Sequence, residues 1–423
     1  MSIIGSMYTA STALGAFGNS MAVVGHNIAN LNTAGFKASR VNYADVLPTV
    51  YGEIEAGHGV FVVSADRQFT QGAFESTSNV TDLAVGGNGF FIVRDSAGGS
   101  YYTRAGQFHL DENFDLVNPD GHFLQGAAGN ISLAGGQTLP AQATTALDMR
   151  FNLDAAATTP TAGFPAGDAI PSAWFSSANS SMVTTIFDSQ GAAHDLTFLF
   201  RKTTPNNWDY RVVGARGELD ATAPNSTDLR ELGAGTVVFN TDGSFNSSTS
   251  TDITGMTWVN GAASQTVSAA NILFAPATPT TLPPASTQYA NASTLVSLTQ
   301  NGWPQGALRA IDIDAQGNVR GLYSNGNSQL IDTIQLAHFA NVDDLDPFGD
   351  TLFLPTLDSG AAQVGLAGSG GRGDIVSGTL ELSTVDLATE FVTMLASQRA
   401  FQMNSRVITT ADEMYSVAAE LTA

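Results

Sequence analysis

Near the start of the chain, hydrophobic positions recur at alternating steps of four and three: Ile3, Met7, Ala10, Leu14, Phe17, Met21, Val24, Ile28 and Leu31. That heptad stripe predicts a helix that packs on another helix. Its residues up to Asn30 would form a rod of roughly 40 Å at about 1.5 Å rise per residue. The other faces carry Ser, Thr, Ala, Gly and Asn, and the first charged side chain is Lys37. With no charge to solvate it, this helix is expected to be surrounded on all sides. At the far end Leu387, Phe391, Met394 and Phe401 form a second stripe. After a phase slip of the stutter kind it continues through Val407, Ala411, Met414, Ala418 and Leu421, and Ile408 and Tyr415 widen the face. Ser383 or Thr384 is placed to cap this helix, with Asp386 in its first turn where the helix dipole favours an anion. Two core helices of an ordinary domain are the plainer reading of these stripes. The uncharged N-terminal helix instead favours terminal helices that pair and are then buried in a polymer.

From about residue 70 the periodicity changes to short alternating runs broken by Gly, Asn and Asp, the pattern of antiparallel β structure. Leu83-Ala84-Val85, a turn at Gly86-Gly87-Asn88-Gly89 and Phe90-Phe91-Ile92-Val93 read as strand, turn, strand; 101–108 and 116–121 repeat the pattern. Further on, 182–187, the turn Asp188-Ser189-Gln190-Gly191, 196–200 and 208–213 form another strand series, and the first pattern returns in 301–321 and 331–339. Pro276, Pro279, Pro283 and Pro284 mark the return crossing, since proline resists continuation of a helix or central strand. The expected fold is mainly β with α-helical termini: paired, coiled-coil-like N- and C-terminal helices plus nested antiparallel β domains. The predicted divisions are 1–36 with 385–423 as the helix pair, 37–70 and 363–384 as joints, 71–147 with 287–362 as an inner β domain, and 148–286 as an outer β domain.

Composition narrows the chemistry. The 423 residues hold 16 Lys and Arg against 38 Asp and Glu, a formal charge of −22, which leaves no basic surface for a phosphate backbone. There is no cysteine, so disulfides, thiolate metal sites and a cysteine nucleophile are excluded. Charged residues make up 13%, near half the roughly 25% usual for soluble domains, which suits surfaces made for contact. The first 36 residues lack the positive charge of a secretory signal, and no run approaches the roughly 18 apolar residues of a membrane span.

No catalytic, cofactor-binding or metal-ligating set emerges. His26, His58, His109, His122, His194 and His338 include no pair four apart. Asp312-Ile313-Asp314-Ala315-Gln316-Gly317 starts like a calcium loop but has Tyr323 where a bidentate Glu is needed, and reads as a hairpin turn. Gly368-Ser369-Gly370-Gly371-Arg372-Gly373 has dinucleotide-loop spacing without a strand leading into it, and reads as a flexible joint. Arg372-Gly373-Asp374 is a chance adhesion tripeptide on the same reasoning. Gly-x-Ser-x-Gly and phosphate-loop motifs are missing, so an enzyme is not expected.

Two segments carry a resemblance. Gly25-His26-Asn27-Ile28-Ala29-Asn30 followed by Thr33-Ala34-Gly35-Phe36-Lys37 resembles the N-terminal motif of the bacterial flagellar rod and hook axial proteins. Ser377 to Leu387, including Ser383, Val385, Asp386 and Leu387, together with Gln398-Arg399-Ala400-Phe401-Gln402, resembles their C-terminal motif, although Thr384 stands where the family usually has Asn. Residues 82–125 are similar to the family's first β module, and 182–213 to the outer domain of its hook members. The resemblance implies a structural subunit, without cofactors, that polymerises helically into a short curved tube carrying motor torque to the filament. It also implies type III export of an unfolded chain, an extracellular place on the flagellum, and as partners further copies of itself, the distal rod, the hook–filament junction proteins, the hook cap and the export apparatus. A distal rod member is the rival within the family, though it is expected to lack the 148–286 domain. An extracellular adhesin or carbohydrate-binding β protein is the rival outside it, and leaves the uncharged N-terminal helix unexplained.

Overall fold

The computed structural model describes residues 3–46, 49–51, 54–56, 58–224, 226–276 and 285–420. Pro279, Pro283, Pro284 and Leu421 therefore lie outside the described residues. The chain is mainly β with a long helix at each end, Ile3–Ala29 and Leu387–Glu420. It divides into two compact units: Met1–Gln137 with Ala310–Leu322 and Ser328–Ala423, and Thr138–Arg309 with Tyr323–Asn327.

In the first unit the two terminal helices pack on one another, and the N-terminal helix also packs on a long antiparallel hairpin, Ser39–Asp45 with Val60–Arg67. The hairpin is bulged between Asn42 and Tyr43. It runs back along the N-terminal helix, where the Val60 N–H donates to Thr12 Oγ1 at 3.4 Å and the Tyr43 and Phe17 rings lie 6.1 Å apart. The central sheet is built around Phe90–Arg94, which pairs with Ser100–Thr103, Phe123–Leu124 and Gln335–His338. Its core is aromatic: Phe90 meets Phe69, Phe339 and Phe353 edge-on at centroid distances of 5.7 to 5.8 Å, and Phe69 meets Phe353 at 5.3 Å, a preferred geometry for rings. Late strands close edges opened early: Asp374–Ser377 pairs with Leu83–Gly86, and Thr379–Glu381 with Phe74–Ser76.

The second unit is a five-stranded antiparallel meander, Ser180–Phe187, Ala193–Thr204, Asn207–Ala215, Leu229–Phe239 and Phe245–Ser250. Met182, Thr184 and Ile186 alternate inward as a period of two requires. Leu147–Asn152, paired with Thr294–Gln300, adds Met149 and Phe151 to a core that holds Phe198, Phe200, Trp208 and Tyr210. The predicted turn at 188–191 is present: Asp188 Oδ1 accepts from the Gln190 and Ala192 N–H groups, and Gly191 sits at φ 84°. Burial raises the Asp188 carboxyl, but hydrogen bonds from Asn260, Ala192, His194 and Gln190 outweigh it and leave the group below the usual range.

Candidate assembly interface

The most deeply buried positions of the N-terminal helix are Ala10, Ala13, Ala16, Ser20, Val24 and Asn27. Small side chains let the backbones approach closely, and Ser20 Oγ lies 3.2 Å from Ser397 Oγ of the C-terminal helix. Of the predicted stripe, Ala10 and Val24 lie in this seam, while Met7, Leu14, Phe17, Met21, Ile28 and Leu31 flank it half-buried; the side chain of Ile3 is outside the described set. The opposite face, with Ile4, Tyr8, Ser11, Gly15, Asn19 and Ala22, is open to solvent in the single chain.

On the C-terminal helix the inward row is Glu390, Met394, Ser397, Ala400, Asn404, Ile408 and Ala411. The apolar stripe read from the sequence mostly points the other way. Phe391 is 49% exposed, Phe401 38% and Met414 55%; Leu387, Val407 and Ala418 are exposed too, and only Met394 and Ala411 share the inward row. Val392, Leu395, Met403, Tyr415 and Val417 extend this open apolar surface. Ile4, Met7, Tyr8 and Ser11 form one wall of a groove of about 630 Å³ whose other wall is Ile408, Asp412 and Tyr415. The pair closes through smaller and more polar positions than the stripes marked.

Where the helices meet the β structure, the two motif segments interlock. Asn27 donates to Ser39 O at 2.8 Å and Glu390 Oε1 at 2.9 Å, and its Oδ1 accepts from the Ser39 N–H. Ala29 is exposed, and Asn30 donates back to His26 O while accepting from Thr33 Oγ1. Gly35 adopts φ 69°, and a Cβ there would lie 2.5 Å from Ala105 N, so both conformation and space require glycine. Phe36 is buried against the His26 ring at 5.6 Å. Lys37 is buried, its Nζ 2.6 Å from both Thr70 O and Glu381 Oε1. Burial pushes the Lys37 ammonium below the usual lysine range, against the upward pull of Glu381.

The cap of the C-terminal helix differs from expectation. Asp386 itself is the N-cap: its Oδ1 accepts the Thr389 N–H at 2.8 Å and its carbonyl the Glu390 N–H. Thr384 is engaged elsewhere, its Oγ1 accepting from the Ala38 N–H, and Ser383 Oγ serves the Val385 N–H. The Thr389 backbone bond foremost holds the Asp386 carboxyl below the usual carboxylate range. Val385 is buried, whereas Gln398 and Arg399 are exposed. Sequence reasoning passed over Glu381 and Arg104 as functional residues. Their signal was Lys37, the first charge after 36 uncharged residues, which needs an anion wherever it is buried.

Other motifs resolve as structure. Asp314 Oδ1 accepts the Gln316 and Asn318 N–H groups in a turn. The glycine-rich stretch is a turn closed by Gly368 N to Gly373 O, and Arg372 is spent on the carbonyls of Leu366 and Gln363. Among the described residues no helix is long and apolar enough to cross a membrane, and no cluster of three or more His, Asp or Glu is placed to hold a metal ion.

Comparison with known proteins covers the chain almost end to end. Residues 7–37 match the family described as Flagella basal body rod protein, 84–153 the Flagellar hook protein FlgE/F/G D1 domain, 152–303 the Flagellar basal body protein FlaE D2 domain, and 376–421 the Flagellar basal body rod FlgEFG protein C-terminal. Flagellar hook protein FlgE of Escherichia coli is 35% identical, over 96% of this chain and 97% of its own length. That of Salmonella typhimurium is 34% identical, over 97% and 98%. The crystal structure of Helicobacter pylori flagellar hook protein FlgE2 is similar with a TM-score of 0.48 at 13% identity, covering 71% of this chain and 98% of that one.

Proposed function

The chain belongs to the flagellar hook protein family, and from that premise we propose how this member's residues perform the role of a structural hook subunit. The subunit assembles helically with copies of itself into a curved, flexible tube that passes motor torque to the filament, as part of the bacterial flagellum. The open apolar surface of the C-terminal helix is the main contact between copies, with the exposed face of the N-terminal helix beside it. The observation that carries this is the exposure of Phe391, Leu395, Met403, Met414 and Tyr415 on one long helix of a chain whose own helix pair closes without them. Surfaces of this kind are seldom left open on soluble proteins. Burying each such side chain contributes roughly 1.5–3 kcal/mol, repeated in every subunit.

The helix pair forms the inner tube, segments 37–70 and 363–384 join it to an inner β domain, and the 148–286 region faces outward. The motif residues Asn27 to Asn30, Gly35 to Lys37, Ser383 and Val385 to Leu387 set the bend between helix and β structure, with Gln398 and Arg399 exposed for neighbours. The matched D2 region favours hook over distal rod. An extracellular location, export through the flagellar type III route, and contacts with the distal rod, hook cap and junction proteins belong to the same reading. The test is Phe391→Asp. Polymerisation should be lost while the monomer keeps its thermal midpoint; tubes formed at the parent's critical concentration would overturn the assignment of this face.

A further inference from the structure

Glu381 sits where both ends of the chain cross the β structure, and its surroundings are unusual for a protein so poor in cations. Its side chain is fully buried, and that of its partner Lys37 is 1% exposed. Oε1 accepts from Lys37 Nζ at 2.6 Å and from the Gly72 N–H at 2.8 Å. Oε2 lies 3.6 Å from Arg104 Nη1, and the Arg104 guanidinium lies 5.1 Å from the Phe90 ring centre. The Glu381 backbone carbonyl accepts the Gly35 N–H at 2.8 Å. Three residues on, Thr384 receives Ala38 N–H and donates its own N–H to Phe36 O. The donors of Gly35, Lys37 and Ala38 therefore each reach a partner in a segment some 344 residues later in sequence, with Thr70 O a second acceptor for Lys37.

We propose that Glu381 is a positioning residue, a latch that makes ordering of the N-terminal bend, residues 27–38, conditional on docking of the C-terminal segment. Lys37 and Arg104 are two cations held in one dry site, and among the described residues Glu381 is the one carboxylate that meets them there. With the C-terminal segment undocked, seating Lys37 would bury an ammonium beside a guanidinium without a counter-charge, a strongly unfavourable arrangement. The N-terminal bend then stays open, and its helix is not aimed. A chain that lacks or misplaces its last strand cannot present a correctly oriented N-terminal helix to the tube, so the latch selects complete subunits. That last step rests on the assembly reading above; the latch itself does not.

The experiment is hydrogen exchange on the full-length monomer, comparing parent, Glu381→Gln, Lys37→Met and the double variant. Glutamine keeps the shape and the acceptor for Gly72 but removes the charge. In Glu381→Gln the amides of residues 35–38 and 382–384 should exchange at least tenfold faster, while those of 180–250 stay within twofold of the parent. In the double variant the buried set returns to the parent's net charge of one cation in excess, so protection should recover at least threefold relative to Glu381→Gln. A packing role alone would make the double variant the worst of the four. Unchanged exchange in Glu381→Gln, or a double variant worse than either single, overturns the proposal. Because this readout is taken on monomer, it is separate from Phe391→Asp, whose polymerisation tests the interface.

Discussion

Asp386 shows what a single residue contributes and why its role was misplaced. Its carboxylate occupies the N-cap, where an acceptor satisfies an orphan N–H and an anion meets the positive end of the helix dipole. From sequence, Ser383 and Thr384 were equally suited, because nothing local reveals that the Thr384 hydroxyl is claimed by Ala38, 346 residues away. Asp386→Ala should weaken the first turn of the helix, read as faster exchange at the amides of 387–390. The group's folded value lies below the ordinary one of about 3.9. Its contribution is therefore complete above the ordinary value and fades as pH falls through the lowered one. Exchange in this turn, corrected for intrinsic rates, should stay flat from pH 7 to 5 and rise only in acid. In Asp386→Asn the acid rise should vanish, and an unchanged rise there would place its source elsewhere. Gly35 is the complementary case, legible as a motif glycine though its reason was not: Gly35→Ala meets a disfavoured φ and the Ala105 backbone together. Left-handed geometry alone costs about 1–2 kcal/mol, so the first unit's denaturation midpoint should fall while the second unit's holds.

At the scale of elements, the helices were legible because their heptad spacing is a property of each segment alone. Which face would close the pair was not, because that depends on what each face meets. The small seam around Ala13, Ala16 and Ser20 packs closely, and a larger side chain there forces the helices apart. Ala13→Leu should destabilise the pair by about 1–3 kcal/mol, seen as loss of exchange protection in both helices without change in the β meander. For the hairpin over 39–67 the sequence marks only a joint, since alternation in 60–63 is short and its supporting partner is a helix rather than a third strand. Two strands alone are marginal in water. The contact that holds them is narrow: Gly59 has φ 106°, and its α-carbon faces Thr12 so closely that a Cβ would overlap Thr12 Oγ1. Gly59→Ala should lift this end of the hairpin, exposing the amides of 60–62 to exchange while those of 64–67, nearer the β structure, remain protected. Equal loss along both strands would mean the hairpin is held elsewhere.

For the whole molecule, nesting follows from one constraint: strands that open an edge early must find partners late, as Phe74–Ser76 does in Thr379–Glu381. Composition and turn residues announced antiparallel β structure, and the return of the first pattern after the central region announced nesting. They did not announce that the chain enters the second unit twice, the second time for only five residues, Tyr323–Asn327. A segment so short has no periodicity of its own to read. The second unit has a core of its own, with Phe151, Phe200, Trp208 and Tyr210 buried together, so the burial that stabilises it is internal. Its entry and exit are neighbours, since Thr138 and Leu139 pair with Ala307 and Gly306. Replacing Thr138–Arg309 by a short Gly/Ser linker should therefore leave the first unit folded, with exchange protection in 83–93 and 335–338 within about threefold of the parent. By the assembly reading the shortened chain should still form tubes, because the apolar helix face is untouched, while tube curvature and bending stiffness change with the loss of the outer contacts. Loss of protection in 83–93 would mean that the central region completes the inner fold; a folded but non-polymerising product would move the essential contacts from the helices to the central region.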